Sequence, residues 1–237
     1  EDGSFRLNMK YFNFATGLTM TNEKFSKLFG QKVRDPNKEL LTQFHMDIAS
    51  SIQGVIEDIV LKLVSNVQKE TEIKNLCLAG GVALNCVANG KIVKNKIFEN
   101  VWIQPASGDA GGSLGAALGY WHQEISQPRQ IIKSYDSMNG SYLGPKFNED
   151  DIEKHLIKLG AKFNKYDDKI LIDKIANELK EGKIVGWFQG RMEFGPRALG
   201  CRSIIADPRS EKMQKDLNLK IKFRESFRPF APSILRD

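Results

Sequence analysis

Apolar residues recur at three- and four-residue steps along one long stretch of the chain. The series is Leu40, Phe44, Ile48, Ile52, Val55, Ile59 and Leu63. This spacing places the apolar side chains on one face of a helix. The pattern therefore predicts an amphipathic helix of about 28 residues, from about Leu40 to Val67.

Two short apolar stretches farther along are each followed by a glycine-containing loop and a second helical pattern. The predicted short buried strands are Asn75–Ala79 and Val101–Gln104, and the predicted helices after them are Val82–Val93 and Ser113–Glu124. Strand, loop and helix repeated in this order predict an α/β domain that binds ligands at the ends of its strands.

The second half of the chain begins with a stretch that has no periodicity. Residues 126–140 contain Pro128 and Gly140, and we interpret them as a linker or crossover connection. Beyond the linker, the patterns predict helices over Asn148–Leu159 and Ile170–Lys180, strands over Lys183–Phe188 and Ser203–Ala206, and a helix over Ser210–Leu217 that begins at a Ser210 cap.

The positive charge of the chain is confined to its C-terminal part. The 237 residues include 35 Lys and Arg against 29 Asp and Glu, a surplus of six. Residues 183–237 hold twelve of the basic and six of the acidic residues, so residues 1–182 are balanced at 23 against 23. A local surplus predicts a local partner, either a phosphorylated small molecule or a nucleic acid.

Five arginines of this basic part lie among glycine, proline and phenylalanine residues. They are Arg191, Arg197, Arg202, Arg224 and Arg228. A guanidinium group presents a planar fork of donors that matches a phosphate or carboxylate edge, and Gly/Pro loops let the backbone come close to a ligand. The pattern favours an anion site over the alternative, a basic surface that binds nothing.

Two glycine loops are candidate ligand contacts, and each has a structural alternative. The sequence LAGGVALN, Leu78 to Asn85, either offers backbone N–H groups to an anion at a helix start or only makes a tight turn. The sequence SGDAGG places Asp109 where its carboxylate either caps the next helix or ligates a metal. Neither loop is a Walker A loop or a GxGxxG fingerprint.

Composition argues against several other classes. No apolar run is long enough for a transmembrane helix, and the first residues show no signal-peptide pattern. The three cysteines form no CxxC pair, so free thiols in a reducing cytoplasm are the simplest interpretation. The first residues are typical of the middle of a protein, and we expect the chain to be a piece of a longer one.

Four blocks of the sequence together resemble the NodU/CmcH family of O-carbamoyltransferases, which act on nodulation factors and antibiotics. The blocks are NLCLAGGVALNCVANGKI, VWIQPASGDAGGSLGAALG, VGWFQGRMEFGPRALGCRSIIADPR and LNLKIKFRESFRPFAP. The resemblance extends over nearly the whole chain in the same order.

The resemblance implies a fold and a two-step reaction. The fold is α/β: residues 1–125 form the second half of an actin/Hsp70-type, Kae1-like ATPase domain, and after the linker residues 141–237 form the start of a truncated, α+β YrdC-like domain. The YrdC-like domain joins carbamoyl phosphate and ATP into carbamoyl-adenylate, releasing pyrophosphate and phosphate-derived products. The Kae1-like domain transfers the carbamoyl group to a hydroxyl of a sugar, oligosaccharide or antibiotic-like acceptor. The implied cofactors are ATP with Mg²⁺ and an iron-type divalent metal.

Carried over by position, the family pattern assigns three groups of residues. The basic residues around carbamoyl phosphate and the triphosphate correspond to Arg191, Arg197, Arg202, Lys220, Arg224 and Arg228. The nucleotide-contact loops correspond to Gly80, Gly81, Asn85, Gly108, Gly111 and Gly112. The metal-binding aspartate corresponds to Asp109. The family's histidine ligands belong to a part that this sequence does not include, so we expect this piece to bind metal poorly.

Two other functions stay open at this level. Kae1 and YrdC proteins themselves make the threonylcarbamoyladenosine of tRNA, and a tRNA-binding protein would show steep salt dependence. A non-catalytic nucleotide-binding module would bind ATP and ignore carbamoyl phosphate. The chain lacks the RGG-like and aromatic-interleaved patches of general RNA-binding proteins, which disfavours nucleic acid as the partner. The sequence indicates neither the acceptor nor the oligomeric state.

Overall fold

The computed structural model describes residues 2–131 and 136–235. The α-helices are α1 (Glu23–Phe29), α2 (Gln43–Thr71), α3 (Cys86–Lys94), α4 (Ala110–Gly119), α5 (Glu149–Lys158), α6 (Asp168–Lys180) and α7 (Met213–Asp216). The strands are β1 (Asn75–Leu78), β2 (Asn100–Ile103), β3 (Val185–Phe188) and β4 (Arg202–Ile205). Short 3-10 helices lie at Met9–Tyr11, Gly81–Leu84 and Asn139–Ser141, and π-helical turns at Tyr120–Glu124 and Leu217–Ile221. This mixture of helices and strands confirms the α/β class at the coarse level.

The chain divides into two units, Glu1–Gly108 and Asp109–Asp237. In the first unit, α2 confirms the long helix that the apolar periodicity predicts, and it begins three and ends four residues later than predicted. The backbone N–H of Thr42 donates to Nδ1 of His45 at 3.0 Å, so the first turn of α2 satisfies a donor that helix starts otherwise leave unpaired.

Strands β1 and β2 pair in parallel, with Asn75 opposite Asn100 and Leu78 opposite Ile103. One face of this two-stranded sheet packs on the core of the first unit, which contains Val64, Ile92, Phe98 and, partly buried, Val60, Leu61, Leu76, Leu78, Ile97 and Val101. Side chains alternate between the two faces of a strand, and Cys77 and Trp102 therefore lie on the opposite face, where both are exposed. The prediction of buried strands holds for one face only.

The predicted helix after β1 is interrupted. A 3-10 turn ends at Asn85, whose Oδ1 accepts a hydrogen bond from the backbone N–H of Ala88 at 3.1 Å and begins α3. An asparagine with extended backbone at this position favours a new helix start over a continuous helix. Helix α4 begins at Ala110, three residues earlier than predicted, and continues as the π-helical turn.

In the second unit, α5 and α6 confirm the predicted helices, and the Oδ1 of Asn148 caps α5 by accepting from Asp151 N at 2.8 Å. Strands β3 and β4 pair antiparallel, with Val185 opposite Ile205 and Phe188 opposite Arg202. The prediction that Ser210 caps the last helix is wrong: α7 begins at Met213 after Lys212, without a side-chain cap, and continues as a π-helical turn to Ile221.

The interpretation of residues 126–140 as a linker falls partly on residues 132–135, which lie outside the described residues. Residues 126–131 form no regular element. The predicted domain boundaries therefore stay predictions. None of the helices within residues 2–131 and 136–235 is long and apolar enough to cross a membrane.

Candidate functional site

The loop of residues 189–201 connects β3 to β4 and contains two of the candidate arginines. The backbone N–H of Gln189 donates to the carbonyl oxygen of Cys201 at 2.8 Å and closes the base of this loop. Gly195 and Gly200 have φ values of 128° and 112°, which only glycine adopts readily. The loop can therefore turn sharply on both sides of Arg197.

Residues 141–142 hold the same loop from outside. The backbone N–H of Phe194 donates to the carbonyl of Ser141 at 2.6 Å, and the Ser141 hydroxyl donates to the carbonyl of Phe194 at 2.7 Å. The Tyr142 hydroxyl donates to the carbonyl of Leu199 at 3.0 Å. Both ends of the segment that carries Arg197 are thus fixed to the end of the 3-10 helix Asn139–Ser141 and the residue after it.

Arg191 is fixed by a close backbone approach. The backbone N–H of Gly144 donates to Met192 O at 2.9 Å, and a Cβ on Gly144 would lie 2.9 Å from the Cβ of Met192. This position therefore has no room for a side chain. The Nη1 of Arg191 donates to the carbonyl of Gly144 at 2.7 Å, while the Arg191 side chain remains exposed.

A buried carboxylate organises the base of the loop. The side chain of Glu193 is 0% exposed. Its Oε1 accepts from the backbone N–H groups of Leu199 at 2.7 Å and Cys201 at 2.8 Å, and its Oε2 accepts from Nε of Arg202 at 3.2 Å. Arg202 also donates through Nη2 to the carbonyl of Gly195.

Two titratable groups at this base have shifted pKa values. Burial by itself raises the pKa of Glu193, but the hydrogen bonds from Cys201 and Leu199 outweigh it, and the pKa lies below its ordinary value. The pKa of the Cys201 thiol is raised, first by burial and then by the nearby Glu193 charge. Glu193 is therefore ionised at neutral pH and Cys201 is a protonated thiol, which disfavours a nucleophile at Cys201.

A second loop, residues 222–230, is held by amide side chains of the helix before it. Asn218 is completely buried. Its Nδ2 donates to the carbonyls of Ser226 at 3.1 Å and Arg228 at 2.8 Å, and its Oδ1 accepts from Nε of Arg224 at 2.6 Å. One turn earlier, Nε2 of Gln214 donates to the carbonyl of Arg228 at 3.1 Å.

The six candidate basic residues fall into two groups according to their partners. Three form ion pairs: Arg202 with Glu193, Arg228 with Glu225, and Lys220 with Asp216. Three have no acidic partner within residues 2–131 and 136–235. Of these, Arg191 and Arg224 bond to neutral oxygens, and the Arg224 guanidinium lies 5.0 Å from the centre of the Phe230 ring. Arg197 has no hydrogen-bond partner in the described part of the chain and is exposed.

An anion gains most from cations whose charge is not already neutralised. Arg191, Arg197 and Arg224 are therefore the strongest candidates for contact with a phosphate. The hydrogen bonds of the described residues connect each loop internally, and none of them joins the loop of residues 189–201 to that of residues 222–230. Convergence of the two loops on one ligand stays a prediction.

Two clefts, of about 260 and 230 Å³, lie in the first unit and contain none of the six basic residues. The smaller is apolar and lies between α1 and the start of α2, where Phe25, Phe29 and Phe44 line it. The larger lies along α2, beside Lys62 and Lys69. Neither cleft contains a predicted site residue.

The glycine loop after β1 contacts the loop after β2. The backbone N–H of Gly80 donates to the carbonyl of Ser107 at 2.7 Å, and Gly80 has a φ of 99°. A Cβ on Gly80, Gly81 or Gly108 would meet no atom within 4 Å, so the space beside these glycines is open. Parallel strands end at this edge of the sheet, where α/β proteins bind ligands.

Asn85 belongs to a polar cluster between α2 and α3. Its amide exchanges hydrogen bonds with the amide of Gln53, at 2.9 and 3.2 Å. Gln53 also donates to the buried carboxylate of Glu57 at 2.7 Å, and Lys91 pairs with Glu57. The Asn85 side chain therefore joins two helices and caps one of them.

Asp109 stands at the N-cap position of α4, but its side chain makes no capping hydrogen bond and is exposed. The capping alternative is therefore wrong. Among residues 2–131 and 136–235, no group of three or more His, Cys, Asp or Glu side chains could hold a metal ion. A Cβ on Gly112, one turn into the helix, would lie in open space.

Sequence reasoning missed the residues that order the two basic loops. Glu193 is the only acidic residue between Lys183 and Asp207, and an isolated acid inside a basic block was an available signal. Gln214 and Asn218 are spaced four apart, which places them on one helix face, but their contacts with residues 226–228 have no sequence signature. Ser141 lies 53 positions from its partner Phe194.

The chain has extensive similarity to known proteins. The family described as Carbamoyltransferase N-terminus matches residues 1–118, and the family described as Carbamoyltransferase C-terminus matches residues 176–237. An uncharacterized protein of Synechocystis sp. (strain PCC 6803) is 59% identical over 238 residues, which is all of this chain and 38% of that protein.

Two nodulation proteins are also similar. Nodulation protein NolNO of Sinorhizobium fredii (strain NGR234) is 42% identical over 83% of this chain and 28% of its own length. Nodulation protein NolO of Bradyrhizobium diazoefficiens (strain USDA 110) is 41% identical over 83% of this chain and 35% of its own length. The chain spans about a third of the length of these relatives. With matches to both the N-terminal and the C-terminal family model, the chain belongs to the carbamoyltransferase family.

Proposed function

We propose that the protein is an O-carbamoyltransferase that forms carbamoyl-adenylate from ATP and carbamoyl phosphate and then carbamoylates a hydroxyl group of a small molecule or glycan. Membership in the carbamoyltransferase family supports a carbamoyl group as the group that is transferred. The observation that carries the use of two phosphorylated substrates is the set of arginines without acidic partners on ordered loops, namely Arg191, Arg197 and Arg224.

The proposed division of labour follows the two matched segments. Residues 1–125 would be the second half of a Kae1-like, actin/Hsp70-type domain, and residues 141–237 the start of a YrdC-like domain. The parallel pair β1–β2, with open glycine loops at one edge, is compatible with a nucleotide-binding α/β domain. The basic loops lie in the second segment, where the adenylate would form.

In the first step, one water hydrolyses carbamoyl phosphate to carbamate and phosphate. A carbamate oxygen then attacks the α-phosphate of ATP, and the bond to pyrophosphate breaks, so that carbamoyl-adenylate, phosphate and pyrophosphate are the products. Negative charge accumulates on the phosphate oxygens of both substrates. The guanidinium groups of Arg191 and Arg197 would neutralise this charge. Arg191 is held by the carbonyl of Gly144, and Arg197 is carried by a backbone segment that hydrogen bonds hold at both ends.

Gly80, Gly81 and Gly108 would receive the nucleotide in the first unit. Gly80 and Gly81 precede a helical turn, and backbone N–H groups at such a start attract phosphate. Gly108 leaves the neighbouring side open. Gly111 and Gly112 belong to the second unit, in the first turn of α4, and stay predicted nucleotide contacts. The amide of Asn85 is already bonded to Gln53 and Ala88, so its contribution would be to hold α3 in place.

The residues present do not suffice for the metal that the family implies. Asp109 supplies one exposed carboxylate, and protein metal sites need three or more ligands. Asp109 as one ligand of a larger set stays a proposal.

The test uses the full-length protein with ATP, carbamoyl phosphate and a panel of sugar and oligosaccharide acceptors. We expect pyrophosphate release that requires carbamoyl phosphate, and an acceptor whose mass increases by one carbamoyl group. Binding of ATP without any response to carbamoyl phosphate would contradict the proposal and favour a nucleotide-binding module. Transfer of a threonylcarbamoyl group to an adenosine of tRNA, in place of carbamoylation of a hydroxyl acceptor, would favour the tRNA-modification alternative.

A further inference from the structure

Glu193 is an acid inside a loop that is proposed to attract anions. Its carboxylate is wholly buried, and its two oxygens accept three hydrogen bonds, from Leu199 N, Cys201 N and Arg202 Nε. A ligand cannot reach this carboxylate, because no part of the side chain is exposed. Any effect of Glu193 on binding must therefore act through the residues that it holds.

The hydrogen bonds of Glu193 join the two sides of the segment that carries Arg197. One side contains Glu193 itself, and the other contains Leu199, Cys201 and Arg202. Arg202 reinforces this closure, because it donates to Glu193 through Nε and to the carbonyl of Gly195 through Nη2. Residues 195–198 are thereby held as a closed loop with Arg197 on the outside.

The ion pair also changes which arginines are available to a ligand. Arg202 is 32% exposed, and its charge is neutralised by Glu193. Arg191 and Arg197 have no acidic partner in the described chain. Because of this carboxylate, Arg202 supports the loop, while Arg191 and Arg197 remain exposed to solvent.

We infer that Glu193 is a positioning residue: it fixes Arg202 as an internal support of the loop, so that Arg197, together with Arg191, is presented to the phosphate of carbamoyl phosphate. This inference rests on the proposed function for the identity of the ligand. The ordering of residues 195–202 by Glu193 does not rest on it and can be measured without substrate.

The first variant is Glu193→Gln in the full-length protein. The amide oxygen still accepts from Leu199 and Cys201, but the amide nitrogen would face the Arg202 guanidinium, donor against donor. We expect the KM for carbamoyl phosphate to rise about 10- to 100-fold, as for a misplaced binding group, with the KM for ATP unchanged. A purely structural defect would lower the amount of active enzyme and leave both KM values as they are.

The second variant is the double substitution Glu193→Gln with Arg202→Gln. Two facing amides can bond to each other, which restores the closure without charge, and we expect the KM for carbamoyl phosphate to return to within about threefold of wild type. If Arg202 itself contacts the substrate, the double variant will be at least as impaired as Arg202→Gln alone, and the inference is overturned. Glu211→Gln, at an exposed acid outside the loop, is the matched control and should behave as wild type.

Hydrogen exchange of the substrate-free protein separates this inference from the proposed function. We expect faster exchange at residues 195–202 in Glu193→Gln, and recovery in the double variant. Unchanged exchange together with an unchanged KM would overturn the positioning role. Absence of any carbamoyl-phosphate-dependent reaction in the wild type would overturn the proposed function, while the exchange data would still decide whether Glu193 orders the loop.

Discussion

The two arginine-bearing loops of the second unit are ordered by different chemistry. In the loop of residues 189–201, a buried carboxylate closes the loop and neutralises Arg202. In the loop of residues 222–230, the neutral amide of Asn218 performs the closure and orients Arg224 without removing its charge. A carboxylate orders a loop more strongly but uses up one cation, whereas an amide leaves the cation available.

This difference separates cations that support the fold from cations that can bind a ligand. The sequence does not distinguish among the six candidate basic residues, and the structure gives three of them an acidic partner. Substitutions of the arginines with and without an acidic partner should therefore have different effects on catalysis. Substitutions of the residues that hold the loops should differ in their effects on stability.

The largest effect is expected for Arg197→Ala. Arg197 is exposed, has no partner in the described chain and lies on an ordered backbone segment, so its loss removes a cation without disturbing its neighbours. We expect kcat/KM for carbamoyl phosphate to fall about 100- to 1000-fold, the range for removal of one transition-state donor. Arg197→Lys keeps the charge but loses the planar fork of donors, and its kcat/KM should lie between those of the wild type and Arg197→Ala.

The control for this variant is Arg129→Ala, at an exposed arginine outside both loops. Steady-state kinetics of the full-length protein checks both. A decrease in kcat/KM of less than about threefold in Arg197→Ala would place the substrate phosphate elsewhere, because an effect that small is typical of a solvent-exposed ion pair.

Arg224 and Arg228 provide a comparison within one loop. Arg224 bonds to a neutral amide, while Arg228 pairs with Glu225. We expect Arg224→Ala to lower kcat/KM about 100-fold and Arg228→Ala to lower it less than about fivefold. Equal losses in the two variants would show that an acidic partner does not decide which arginine acts on the substrate.

The supports themselves should differ in stability. Asn218→Ala leaves the carbonyls of Ser226 and Arg228 and the Nε of Arg224 without their buried partner, and we expect a decrease of about 2–4 kcal/mol in the free energy of unfolding. Gln214 is exposed and shares the Arg228 carbonyl with Asn218, so Gln214→Ala should cost only about 0.5–1.5 kcal/mol. Urea unfolding followed by fluorescence measures both, and a larger loss in Gln214→Ala would contradict the assigned order.

The smallest effect is the pH dependence of the carboxylate support. The pKa of Glu193 lies below its ordinary value of 4.5 in the folded chain, so folding favours the ionised form. Its contribution to stability is complete above pH 4.5 and is lost as the pH falls through the folded pKa. We expect the stability difference between wild type and Glu193→Gln to be constant at neutral pH and to shrink on acidification below pH 4.5, as measured by urea unfolding. A difference that grows on acidification would be inconsistent with an ionised Glu193.

Much of the local structure could be predicted from the sequence. The apolar repeat from Leu40 to Leu63 gave α2 within four residues, because a periodic face dictates a helix whatever packs against it. The Asn148 cap set the start of α5 through a contact between neighbours. Predictions that depended on distant groups were less successful. The exposure of Cys77 on β1 and the start of α7 at Met213 depend on how distant parts of the chain pack, and no local sequence pattern shows this packing.

For the candidate site, the sequence by itself determined the inventory: a basic C-terminal part, arginines in glycine- and proline-containing loops, and glycine pairs after two strands. Local residue types fix these features because charge, backbone freedom and helical period belong to the residues themselves. Only the tertiary structure decided which cations are neutralised and which residues hold the loops. Glu193, Asn218 and Ser141 act on groups 6 to 53 positions away, and contacts of this kind arise from chain folding.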